Sequence, residues 1–93
     1  MIVGVLTIEL AIFDAQSLKD KRRVIASLKQ RLRNRFNISV AEVGYPDAPK
    51  RCRLGVTIVS RESRALHSQL DRIIDTVRRT GGVSLLDYER ELL

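Results

Sequence analysis

The sequence predicts an α+β fold in which two helices pack on one face of a four-stranded antiparallel sheet. Three observations carry the prediction. Residues 17–36 and 61–79 place apolar side chains at helical spacing. The segments around them are rich in β-branched residues and tend to alternate in polarity. The resulting order is β-α-β-β-α-β, the split βαβ order of ferredoxin-like domains. Right-handed crossovers then bring both helices to one side of the sheet. The 93 residues suffice for one domain, 1–93, with a modest core.

The first strand is expected over 2–12. Ile2, Leu6, Ile8, Leu10 and Ile12 point one way, and Val3, Val5, Thr7, Glu9 and Ala11 the other. The first set is bulkier and should meet the helices. Phe13 to Gln16 lead into helix 17–36, whose apolar stripe is Leu18, Val24, Ile25, Leu28, Leu32 and Phe36. Ser17 is the expected N-cap, with Asp20 completing a capping box and Asn37 as the stop. Ile38 to Tyr45 read as a second strand, and 46–51 as a loop with two prolines. Cys52 to Ser60 form the third strand, with Leu54, Val56 and Ile58 facing the core and Arg53, Gly55, Thr57 and Val59 outward. Ser60 is the expected cap of helix 61–79, whose buried stripe is Leu66, Leu70, Ile73, Ile74 and Val77. Gly81-Gly82 ends it, and Val83 to Leu92, with mixed charges, suits an edge strand.

Charge is the unusual feature. The chain carries a net +6 with a pI near 10.2. Residues 17–36 hold eight cations against one acid, Asp20. Lys19, Arg22, Lys29 and Arg33 are expected opposite the apolar stripe, with Lys21, Arg23, Arg31 and Arg35 flanking. Lys19, Lys21, Arg22 and Arg23 fall in the first two turns, where the helix dipole makes each unfavourable by roughly 0.3–1 kcal/mol. A docked anion would reverse that sign. The alternative is neutralisation by Glu9, Asp14 or a partner chain. In the second helix, Glu62, Asp71 and Asp75 offset Arg64, Arg72, Arg78 and Arg79. A basic excess confined to one element points to a polyanion, with nucleic acid the commonest.

The segments Ser17-Leu18-Lys19-x-Lys21-Arg22, Ser27-Leu28-Lys29-x-Arg31-Leu32-Arg33-x-Arg35-Phe36-Asn37 and Ser39-Val40-Ala41-Glu42-Val43 resemble the YlxP-like family of small bacterial proteins. Leu54-Gly55-Val56 and Asp87-Tyr88-Glu89 extend the resemblance over nearly the whole chain. It implies association with RNA or the ribosome, since the family's genes tend to lie beside translation and ribosome-maturation genes. Pro49 and Lys50 stand where that family is expected to have a tryptophan and a glutamine.

Other chemistry is sparsely represented. There is no Cys/His cluster for a metal and no glycine-rich phosphate loop, so neither metal nor cofactor is expected. His67, the only histidine, lies at the edge of an apolar stripe, and Cys52 reads as a small packed residue. Phe13 to Gln16 lack the arginine-bearing loop an acylphosphatase needs at that place. The central strands show no aromatic on their open face, which argues against base stacking of the RNA-recognition type. RNA contact would then be made to phosphates, through Lys19, Lys21, Arg22, Arg23, Lys29, Arg31, Arg33 and Arg35. The open sheet face, with Val3, Val5, Thr7 and Val59, is expected to bury itself against a second copy. The lone cysteine suits a reducing compartment. The apolar N-terminus is too short to span a bilayer and lacks a signal-peptide pattern, so a cytoplasmic, membrane-free location is expected. The leading expectation is a non-enzymatic RNA- or ribosome-associated homo-oligomer. A structural homo-oligomer without nucleic acid, or an enzyme using His67 or Cys52, are the alternatives.

Overall fold

The computed structural model describes residues 1–93. Its elements are β1 (Ile2–Ala11), α1 (Leu18–Arg35), β2 (Ser39–Gly44), β3 (Arg51–Ser60), α2 (Ser63–Arg78) and β4 (Ser84–Leu92). They form a four-stranded antiparallel sheet in the order β2-β3-β1-β4, with both helices on one face. This is the ferredoxin-like α+β fold the sequence predicts, with β4 at an edge.

Alternation in the two central strands decides which face the helices cover. Leu6, Ile8 and Leu10 of β1 and Cys52, Leu54 and Val56 of β3 have no exposed surface. The register sets Leu6 against Val56, Ile8 against Leu54 and Leu10 against Cys52. Ile25, Leu28 and Leu32 of α1 and Leu66, Leu70, Ile73, Ile74 and Val77 of α2 close over them. Each fully buried Leu or Ile contributes about 1.5–3 kcal/mol of transfer free energy. β1 and α2 meet closely at Gly4, where a Cβ would lie 2.7 Å from Leu66 Cδ2.

Helix ends follow local chemistry, with three differences from expectation. The Ser17 hydroxyl accepts from the Asp20 amide at 3.1 Å. The Asp20 carboxylate in turn accepts from the Gln16 amide at 3.0 Å, so the box closes one residue before the cap. Phe36, rather than Asn37, ends α1: its ring is drawn into the core and its backbone turns extended. Ser60 remains in β3 and does not cap α2. Its hydroxyl accepts from the Glu62 amide at 3.3 Å, and α2 begins at Ser63 with Glu62 as an N-cap that makes no side-chain bond.

Candidate nucleic-acid interface

The eight cations of α1 are not equivalent. Lys21 is 1% exposed and belongs to the buried stripe with Ile25, Leu28 and Leu32. Its ammonium donates to the Tyr45 carbonyl oxygen and lies 2.9 Å from Glu42 Oε2. This corrects the expectation that Lys21 flanks the helix and meets an anion. It fastens α1 to the end of β2 instead. The signal was present in the sequence: positions 21, 25, 28 and 32 have the 4-3-4 spacing of one helix face, and Lys21 fills the gap between Leu18 and Ile25. Tyr45, whose carbonyl it captures, has a left-handed backbone with φ 59°.

Lys29 also departs from expectation. It is half-buried rather than outward, because it stands beside the stripe. Four residues on, Arg33 donates to the Val40 carbonyl at 3.1 Å, which places this rim over β2. Arg22 shares that side by the seven-residue period. Arg31 points the other way and donates to Thr80 Oγ1 at 3.4 Å, beyond the end of α2. Lys19, Arg22, Arg23, Arg31, Arg33 and Arg35 are all exposed.

Apart from Lys21, none of these cations makes an ion pair. Glu9, one candidate for neutralising them, pairs on the far face of the sheet with Arg53 and, at 3.8 Å, Arg51. That pairing and Tyr45 hold Arg53 more firmly protonated. Asp14 pairs with nothing. The acids of α2 are spent nearby: Asp75 on Arg79 at 3.2 Å, and Asp71 on Arg90 at 2.6 Å.

The reading of Cys52 as a packed residue agrees with its complete burial. Desolvation, reinforced by Glu42, pushes its thiol up to about 12. His67 is half-buried at the helix edge, where Arg90 donates to its Nδ1 at 3.1 Å. No group of three or more metal-binding side chains is assembled, and no helix is long and apolar enough to cross a membrane.

On the open sheet face, Val3 pairs with Val59 and Val5 with Thr57. Val3, Val5 and Thr7 are half-buried, while Val59 is 57% exposed. Val43, 58% exposed, enlarges this apolar strip and would touch a Cβ placed on Gly55. Sequence reading missed it, although Val43 alternates with exposed Ser39 and Ala41 and against buried Val40. An aromatic also reaches the end of this face from a loop: the Tyr45 ring lies 4.8 Å from the Arg51 guanidinium and 5.1 Å from that of Arg53. Lys50 ties the same loop to the β1–α1 connection by donating to the Phe13 carbonyl at 2.6 Å.

A family model described as "Protein of unknown function (DUF503)" matches residues 3–90. The chain is 36% identical over 72 residues to "Uncharacterized protein YlxP" of Bacillus subtilis (strain 168), a match covering 77% of this chain and 78% of that relative.

Proposed function

The chain belongs to the DUF503 family, as its YlxP-like residues indicated, and from that premise we propose a non-enzymatic protein that associates with RNA or the ribosome. Its α1 contacts phosphates through Lys19, Arg22, Arg23, Lys29, Arg31, Arg33 and Arg35. One observation carries the reading: these seven cations share a helix and none is paired with a carboxylate. Lys19 and Arg23, Lys29 and Arg33, and Arg31 and Arg35 are like-charged neighbours at i,i+4, each costing about 0.2–0.5 kcal/mol. A polyanion removes those costs. From Lys19 to Arg35 the helix rises roughly 24 Å, long enough to meet several phosphates.

Binding to a stem-loop RNA is therefore expected at low salt and should weaken steeply as salt rises. Every phosphate that a variant no longer neutralises should reduce the slope of log affinity against log salt by about 0.7–0.9. Replacing Arg22 and Arg23 with Gln should lower both affinity and slope. No binding to any structured RNA near 50 mM salt, roughly the low end of such titrations, overturns the reading.

A second copy of the chain is the proposed occupant of the open sheet face, on the strength of exposed Val43 and Val59 beside Val3, Val5 and Thr7. The two uses lie on opposite sides of the sheet. Light scattering should give at least a dimer mass, and Val5→Glu should reduce it by placing an unpaired charge in the interface. A monomer at high protein concentration refutes it.

A further inference from the structure

The fold brings α2 arginines against the α1 cations, and the geometry points to a shared site. We propose that the RNA backbone lies in the groove between the helices, gripped by Arg31 and Arg35 from α1 and by Arg72 and Arg79 from α2. This rests on the RNA reading above and adds α2 to it, although α2 reads as charge-balanced in sequence.

Arg35, Phe36, Arg72, Asp75, Thr76 and Arg79 line a hollow of about 310 Å³. A second hollow, about 410 Å³, lies along α1 between Ser27 and Arg35 and includes Arg31. Arg35 borders both, so its guanidinium is placed to serve an extended ligand running from the outside of α1 to the groove. The first hollow holds three guanidinium groups and one carboxylate.

Their attachments suit an anion. Arg72 has no carboxylate partner and sits 5.8 Å over the Phe36 ring, which limits its freedom and leaves its N–H edge for a ligand. Arg35 makes no ion pair, and Arg79 is held by Asp75 within its own helix at 3.2 Å. The Thr76 and Thr80 hydroxyls donate back to the carbonyls of Arg72 and Thr76, so specific donation from the walls falls chiefly to guanidinium groups. Guanidinium forks match phosphate oxygens in pairs. In the second hollow, Ser27, Gln30 and Asn34 are exposed polar groups of the kind that meet sugar hydroxyls. On the opposite rim of α1, Lys29 is half-buried and Arg33 donates to the Val40 carbonyl at 3.1 Å, a shorter bond than the 3.4 Å from Arg31 to Thr80 Oγ1, which leaves Arg22 as the exposed cation without a partner there.

The test measures binding of a stem-loop RNA across a salt series. Arg72→Gln with Arg79→Gln should weaken binding roughly tenfold or more at low salt and lower the slope by about 1.4–1.8, the share of two phosphates. Arg72→Lys with Arg79→Lys should recover the slope but only part of the affinity, since a lysine lacks the fork. Asp75→Asn removes the hollow's carboxylate and should tighten binding, a gain that misfolding does not imitate. Wild-type affinity and slope in the glutamine variant, or no gain from Asp75→Asn, overturns the groove. If the Arg22/Arg23 variant loses affinity while the groove variant does not, the groove fails and the α1 reading stands. If the unaltered protein binds no RNA, both fail.

Discussion

Lys21→Met separates the buried cation from its exposed neighbours. The substitution keeps the length and apolar character of the stem but deletes the ammonium that serves Glu42 and the Tyr45 carbonyl. Removing one partner of a buried pair typically costs about 3–5 kcal/mol, because the other charge is left uncompensated. Here the Glu42 side chain is 27% exposed against 2% for Lys21, so water can recover part of its solvation. The expected loss is therefore about 2–3 kcal/mol, below that range because Glu42 is only partly desolvated. In a domain of this size that lowers the melting temperature by roughly 10–20 °C. Thermal or urea unfolding reads it directly. Lys21→Met with Glu42→Gln should return to within about 1 kcal/mol of wild type, since no unpaired charge remains. RNA affinity of the folded single variant, and its salt slope, should be unchanged. A Lys21→Met protein of wild-type stability whose salt slope has fallen by one phosphate's share would refute the reasoning.

The Cys52 thiol supplies a pH dependence. Its pKa is about 12 in the folded chain against 9.0 for a free thiol, so between those values the native state holds a proton that the unfolded state has lost. Stability should thus fall as pH rises above about 9, by at most about 1.4 kcal/mol per pH unit. Urea midpoints compared with those of Cys52→Ala isolate this slope, and identical slopes would contradict it. Gly4→Ala should cost about 1–3 kcal/mol, because the added methyl meets Leu66 and Ile58 at 2.7 and 3.1 Å. An unchanged urea midpoint would show that α2 shifts freely away from β1.

Much of the architecture was legible because its determinants are local. Strand alternation at Leu6, Ile8 and Leu10, and the stripe from Leu66 to Val77, name the buried faces without knowledge of a partner. The Ser17 box spans four residues and forms much as its spacing predicts. Where local reading failed, another part of the chain had intervened. Ser60 stays in β3 because that strand continues through its pairing with Ile2 on β1.

The sequence by itself determined the order of elements, the face each presents to the core and the concentration of positive charge in α1. Period and composition are properties of a segment, and burial of the apolar side follows wherever that segment packs. Only the tertiary structure decided what each charge does. Lys21 is neutralised by Glu42, 21 residues away, and donates to the Tyr45 carbonyl, 24 residues away, while Glu9 is spent on Arg51 and Arg53 across the sheet. Arg72 comes to rest over Phe36, and Arg31 reaches Thr80, only because the two crossovers set α1 beside α2. Electrostatic interaction depends on separation in space and on local burial, and neither is a property of a segment read alone.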